Sequence, residues 1–228
     1  MPTTFRNCTA LNDHATRRIR AILATAVAMA LAVPLSQSAY AGAQVIPPTV
    51  PPNLRVEAGN KPFLKGEAKG TQNYVCAPSA GSATGVAYVL FTPQATLFSD
   101  DDGGQIITHF FSPNPDHDDP NANPAVAAPG GAIRATWVHS HDGSSIWAKV
   151  HTNGAAVVDA DSIAWLLLDK VGVEKGPTGG DILAKTTFVQ RVNTAGGLAP
   201  KTGCGSPADL GNQAFIPYTA DYFFYTND

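Results

Sequence analysis

Almost the whole chain consists of short runs of β-forming residues, and this pattern constrains the fold more than any other feature. Gly, Pro, Asn and Asp separate the runs, and the βαβ alternation of a parallel sheet is missing. Many short strands with turns between them are typical of antiparallel sandwiches and barrels. We therefore predict a mainly β fold, a single-domain antiparallel β-sandwich or barrel. The predicted strands are residues 72–76, 85–91, 95–98, 105–112, 133–141, 144–151, 165–171, 182–193 and 215–225.

The run 182–193 shows the clearest alternation of side chains. Phe188 and Val192 share one face, which we expect to lie in the core, and Arg191 falls on the opposite face. This assignment follows because successive side chains of a strand point to opposite sides of the sheet.

One stretch, residues 159–168, is able to begin a helix. Asp159 or Ser162 could cap it, so we predict one short helical turn that leads into the next strand.

The N-terminus has the features of a signal peptide. Arginines at positions 17, 18 and 20 precede an apolar stretch, residues 21–35, and an A-x-A cleavage site at 39–41. We predict that residues 1–41 are removed, which makes the protein secreted or periplasmic with no membrane span in the mature chain. A retained membrane anchor is the alternative, although the apolar stretch is short for a span.

Two further parts follow the signal peptide. Residues 42–53 are rich in proline and should form an extended, solvated lead-in. Residues 54–228 would form the β-domain, with an irregular loop rich in Pro and Asp at 112–131. The acidic cluster 116–119 in this loop lacks the calcium-binding pattern of an EF-hand and is interpreted as solvated.

The charge of the mature chain argues against one class of partner. Cleavage would leave 11 of the 15 Lys and Arg residues and 17 of the 18 Asp and Glu residues, a net charge of about −6. No basic patch is present, so nucleic acid is disfavoured.

Cleavage also leaves two cysteines, Cys76 and Cys204, because Cys8 is lost with the leader. In an exported chain two cysteines most simply form one disulfide. Two free thiols or a pair of metal ligands is the alternative.

A hairpin is predicted at Asp142-Gly143, a pair that favours a two-residue type I′ turn. This turn would place His139 opposite Ile146. A second hairpin turn is predicted at residues 100–104, where three aspartates precede two glycines.

His139 and His141 are the sharpest chemical feature. At positions i and i+2 of one strand both imidazoles would point the same way, as in strand-borne metal sites. His109 could add a third ligand and Asp142 an oxygen. The alternative is two hydrophilic residues near a hairpin tip.

Aromatic side chains could line a ligand cleft, although such residues more often belong to the core. Trp147 is the one that we most expect to be exposed. The aromatic candidates are Tyr74, Trp137, Trp147 and Trp165.

Motifs for several enzyme classes are absent from the sequence. No G-x-S-x-G nucleophile elbow occurs, and no G-x-G-x-x-G fingerprint follows a strand. Both observations disfavour a nucleophilic hydrolase and a nicotinamide-dependent dehydrogenase.

A series of motifs, in order, resembles a known family. They are Gly59-Asn60, Tyr74-x-Cys76, Ile107-x-His109-Phe110, Thr136-Trp137, Asp142-Gly143-Ser144, Ile163-x-Trp165-Leu166-Leu167-Leu168, Gln190-Arg191-Val192-x-Thr194-x-Gly196-Gly197-x-Ala199-Pro200, Cys204 and Tyr218-Thr219-Ala220-Asp221-Tyr222. Together they resemble the secreted domain-of-unknown-function family 3455. This resemblance covers about residues 50–225 of the chain.

This resemblance implies no agreed activity, and some fungal members are labelled malate dehydrogenase. It implies that Cys76 and Cys204 are the cysteine pair and that His109, Trp137 and Asp142 are family positions. The two histidines at 139 and 141 fall in a stretch that the family leaves variable.

We therefore expect a non-catalytic ligand-binding or structural module without a cofactor, whose partner is an unknown small molecule or a cell-envelope component. A ligand cleft would involve His109, Trp137 and Asp142. The alternative is a metal-dependent hydrolase or oxidoreductase that holds one divalent metal ion through His109, His139 and His141.

Overall fold

The structure, a computed structural model, describes residues 44–116 and 132–227. The predicted signal peptide lies outside these residues, as does all of the acidic cluster 116–119 except Asp116. Within the described part of the chain, no helix is long and apolar enough to cross a membrane.

Eight antiparallel strands form one closed barrel, in which each strand pairs with the next in sequence and the last pairs with the first. The prediction of a mainly β, antiparallel fold is confirmed, and of its two forms the barrel is the one observed. The strands are β1 (Lys61–Pro78), β2 (Val86–Phe98), β3 (Gln105–Pro113), β4 (Ile133–His139), β5 (Ser145–Ala156), β6 (Trp165–Glu174), β7 (Phe188–Gly196) and β8 (Gln213–Thr226).

β2 joins two runs that the sequence separates at Pro93. The strand continues because Pro93 pairs only with Gln72 of β1, whereas the pairing of β2 with β3 begins at Ala95. Proline has no N–H to donate, so it is tolerated where a strand has a partner on one side only.

The predicted strand 182–193 is shorter than expected, and its faces are reversed. Residues 182–185 form a turn and β7 begins at Phe188. Val189 is fully buried in the barrel interior, and Arg191, two residues on, faces the same way. Phe188 and Val192 lie on the outer face. Alternation misled the assignment because both faces of this strand are covered.

The cover on the outer face is the N-terminal segment, residues 44–56. Val45, Val50 and Val56 pack against a cluster formed by Val192, Phe223 and Tyr225. Gln190 Nε2 also donates a hydrogen bond of 2.8 Å to the Leu54 carbonyl. The expectation of a solvated lead-in therefore fails at Val45 and Val50, which are partly buried on the barrel wall, whereas Ile46 is 71% exposed.

The predicted helical turn is also misplaced. Asp159 accepts hydrogen bonds from Ser162 Oγ and the Asp161 N–H, but the chain makes only a tight turn before β6 begins at Trp165. The two short 3-10 turns of the described chain lie elsewhere, at Pro52–Leu54 and Pro207–Asp209.

The disulfide Cys76–Cys204 is confirmed, with a sequence separation of 128. It joins the end of β1 to the connection between β7 and β8.

The hairpin turn at residues 100–104 is confirmed as well, because the Ser99 N–H donates to the Gly104 carbonyl across it.

The barrel has two different ends, since successive connections of an up-and-down barrel alternate between them. The connections after β2, β4 and β6 lie at one end, which we call the closed end. The connections after β1, β3, β5 and β7 lie at the other end, which we call the open end. Side chains with no exposed surface fill the interior toward the closed end: Leu97, Ile107, Ile146, Leu183 and Phe224.

A cavity inside the barrel

The interior toward the open end is not filled. A cavity of about 570 Å³ lies there, and most of its wall is apolar. Its polar lining comes from Gln72, Tyr74, His109 and Arg191, among others. The apolar lining residues include Leu90, Pro93, Phe111, Ile133, Ala135, Trp137, Ala148, Ile163, Leu166, Leu168 and Leu198.

His109 and Trp137 form the inner wall of this cavity. They are direct cross-strand partners on β3 and β4, so both side chains project to the same face. Their rings stack with centroids 4.3 Å apart and planes 5° from parallel, and the Tyr222 ring meets both edge-on. All three side chains are almost completely buried.

The protonation state of His109 follows from its hydrogen bond. Nδ1 lies 2.8 Å from the Thr136 carbonyl oxygen, which can only accept, so Nδ1 carries the proton. Burial lowers the pKa of His109 to about 3, and this outweighs the opposing effect of the Thr136 hydrogen bond. The imidazole is therefore neutral at ordinary pH and offers Nε2 as a hydrogen-bond acceptor.

Arg191 lies between Leu166 and Tyr222, its neighbours on β6 and β8. Its Nε and Nη2 donate hydrogen bonds of 3.1 and 2.8 Å to the Ala164 carbonyl. No carboxylate of the described residues forms an ion pair with it. The guanidinium thus holds the chain that precedes β6 and brings a positive charge into a largely apolar wall.

Asp142 lies at the closed end and is not among the residues that line the cavity. Its Oδ1 accepts hydrogen bonds from the backbone N–H and hydroxyl of Ser144, at 3.0 and 2.7 Å, and its Oδ2 accepts one from Ile182 N–H at 2.9 Å. Ser144 Oγ in turn accepts the Leu183 N–H. Together these bonds fix the turn that carries Leu183 into the barrel.

The same hydrogen bonds act on the acidity of Asp142. Burial raises the pKa of its carboxyl, but the hydrogen bonds from Ile182 and Ser144 favour the anion and bring the pKa down to about 2. Asp142 is thus a structural anion of the closed end in this geometry.

The β4–β5 hairpin is longer than the predicted two-residue turn. Ile146 lies opposite Trp137 rather than His139, and His139 pairs with Ser144 through its backbone N–H. Of the two predicted turn residues only Gly143 has a positive φ, 72°, whereas a type I′ turn requires two. The acceptor role of Asp142 stabilises the longer loop.

The structure does not bring the three histidines into one group. His139 is opposite Ile107, whereas His109 is opposite Trp137. His139 Nδ1 lies 3.0 Å from Asp142 Oδ1, and His141 is exposed in the turn. Across residues 44–116 and 132–227, no group of three His, Cys, Asp or Glu residues could hold a metal ion. The metal hypothesis stays a prediction, which elemental analysis of the purified protein would test.

Trp147 is not exposed, contrary to the expectation. Only 7% of its surface is accessible, and its indole N–H donates a 2.8 Å hydrogen bond to Ser112 Oγ.

Sequence reasoning placed Arg191 on the solvent side and gave Gln72 no role. The available signal for Arg191 was Val189, an apolar residue on the same face of the run as the arginine.

Comparisons with known proteins identify a family and no individual relative. No curated protein and no solved structure matches the chain significantly. A family model described as "Protein of unknown function (DUF3455)" matches residues 57–226, which include all eight strands and both cysteines but not the N-terminal segment 44–56. The resemblance drawn from the sequence motifs is confirmed, and the chain belongs to this family of proteins of unknown function (DUF3455).

Proposed function

We propose that this protein is a non-catalytic binding module that takes one small, largely apolar molecule into the cavity at the open end of the barrel. The observation that carries this proposal is the cavity of about 570 Å³ itself. Ligand sites are typically apolar clefts of about 300–1,000 Å³ with a few polar groups that orient the ligand. The barrel cavity has this size and this composition.

The polar groups near the interior favour binding over catalysis. His109, with a pKa of about 3, is a weak base at neutral pH and suits hydrogen-bond acceptance better than proton abstraction. At the closed end Ser144, His139 and Asp142 lie together, but Ser144 Oγ and His139 Nδ1 both contact the carboxylate. A nucleophilic triad needs the serine hydroxyl bonded to the imidazole instead.

We also propose that the protein acts outside the cytoplasm, secreted or in the periplasm, after removal of residues 1–41. The disulfide Cys76–Cys204 supports this location, because disulfides persist mainly in oxidising compartments.

The test uses a neutral apolar fluorophore, N-phenyl-1-naphthylamine, whose emission rises in an apolar site. We expect saturable binding of one probe per chain of the full mature protein. Ala135→Phe should abolish it, because Ala135 faces the cavity two residues from Trp137 and a phenyl ring there would occupy the space. Ala195→Phe is the matched control, because Ala195 is exposed and its cross-strand partner Thr219 is exposed as well.

Two results would contradict the proposal. One is a lack of saturable probe binding by folded wild-type protein. The other is binding to the Ala135→Phe variant that equals binding to the Ala195→Phe variant, which would place the probe outside the barrel.

A further inference from the structure

Arg191 is the charged residue that strand alternation places on the interior face of the cavity wall. Arg134 and Lys149 also lie along the lining, but their neighbours Ala135 and Ala148 face the interior, so their own side chains point to the outer face. The described lining contains no Asp or Glu. A positive charge in such a wall raises the local concentration of ligands of the opposite charge.

Arg191 is the basic residue that meets the apolar wall most directly. It is partly buried, and its strand neighbours are Leu166 and Tyr222. Nε and Nη2 share one acceptor, the Ala164 carbonyl, which leaves Nη1 with no hydrogen-bond partner among the described residues. Guanidinium groups bind carboxylates through two parallel hydrogen bonds, and such charge-assisted bonds strengthen as water is excluded.

Gln72 adds a second donor to the same cavity. Its side chain is almost fully buried and lies near the Tyr218 hydroxyl, but Nε2 makes no hydrogen bond of good geometry in the described part of the structure. Because a buried donor without a partner is costly, an acceptor on the ligand would relieve it. Donors from Arg191 and Gln72 thus both suit a ligand with acceptor oxygens.

His109 limits where such oxygens can lie. Its Nε2 offers a lone pair, which repels a carboxylate but accepts a hydroxyl or tolerates an apolar group. The ligand's negative group therefore belongs at Arg191, and the apolar part of the ligand belongs against the aliphatic wall.

We infer that the ligand class is organic monocarboxylates with an apolar body, whose carboxylate pairs with Arg191. This inference rests on the proposed binding function and specifies its ligand. It assigns Arg191 to the binding site itself, in addition to its contact with Ala164.

The experiment displaces N-phenyl-1-naphthylamine with two compounds of equal chain length, dodecanoate and dodecanol, at neutral pH. In wild-type protein dodecanoate should compete at concentrations at least about tenfold below those of dodecanol, as expected for one charge-assisted pair. Arg191→Gln should weaken dodecanoate binding about tenfold and leave dodecanol within about twofold.

Arg55→Gln is the matched control, because it removes the same charged group from an exposed residue that does not line the cavity. We expect both affinities to stay within about twofold in this variant. A merely structural role of Arg191, through Ala164, would weaken acid and alcohol alike.

The outcomes separate the inference from the function on which it rests. Equal competition by acid and alcohol in wild-type protein overturns the inference even if Arg191→Gln fails to fold, and leaves the binding module standing. Equal losses in Arg191→Gln and Arg55→Gln would also overturn the Arg191 assignment. No binding of the neutral probe would remove the binding function itself.

Discussion

The two ends of the barrel are built by the same eight strands but are filled differently. Toward the closed end, Leu97, Ile107 and Phe224 have no exposed surface and meet Leu183 from the β6–β7 turn. Toward the open end the same sheet presents small residues such as Ala135 and leaves about 570 Å³ unfilled. The backbone hydrogen bonds between strands continue from the closed end to the open end. The strands therefore pair even where no side chains fill the barrel interior.

This contrast indicates a division of roles. Buried apolar side chains supply most of the free energy of folding, so the closed end should dominate stability. The open end needs other means of holding its shape around a cavity. The disulfide Cys76–Cys204 and the contacts of Arg191 and Tyr74 with backbone carbonyls are placed there.

The largest expected effect comes from breaking the disulfide at the open end. Cys204→Ser should lower the free energy of unfolding by roughly 4–5 kcal/mol, because the bond closes a loop of 128 residues in the unfolded chain. Denaturant unfolding of the variant, and of wild-type protein with and without reductant, measures this. Equal midpoints with and without reductant would show that the open end does not depend on the bond.

A matched pair of leucines compares the ends directly. Leu183→Ala should cost about 3–4 kcal/mol, because this side chain is fully buried at the closed end. Leu198→Ala should cost less than about 1 kcal/mol, since Leu198 lines the cavity and is 42% exposed. Denaturant unfolding again gives both values. Similar losses at the two sites would contradict the division between a filled end and an unfilled one.

The burial of His109 should make the stability of the protein depend on pH. Its pKa of about 3 in the folded protein lies below the value of about 6.5 in the unfolded chain. Below pH 6.5 the unfolded chain binds a proton that folded His109 does not, so stability falls as pH drops toward 3. From pH 6.5 to 4.5 the loss should be about 2–3 kcal/mol.

His109→Gln should remove this part of the pH dependence, which denaturant unfolding at a series of pH values would measure. An unchanged slope would mean that His109 is protonated or solvated in the folded protein.

The contribution of Asp142, at the closed end, to stability depends on pH in a lower range. Its folded pKa of about 2 lies below the ordinary value of 3.8, so its contribution is complete above pH 3.8 and is lost as pH falls through about 2.

Particular residues show how far sequence reasoning reached into the site. His109 and Trp137 were singled out and do lie together on the cavity wall, because each sits in a strand whose position the turn residues predicted. Asp142 was grouped with them but lies at the other end. Its partners Ile182 and Leu183 come from a turn about 40 residues away, and no local pattern could pair them.

Arg191 marks the opposite error. Alternation assigned it to solvent, because a charged residue in a strand usually faces water. Two facts from distant parts of the chain reversed this: the N-terminal segment covers the outer face, and the barrel interior is left unfilled around the guanidinium. Both depend on packing between elements far apart in sequence.

Residue types and motif order along the chain are enough to predict the mainly β class, the hairpin turn at residues 100–104, the disulfide partners and the family. The closure of the sheet, the N-terminal segment on its outer face, and the difference between a filled end and an end with a cavity become visible only in the folded protein. These features follow from which side chains meet across the barrel, and the free energy of such contacts depends on the whole set of neighbours rather than on any one stretch.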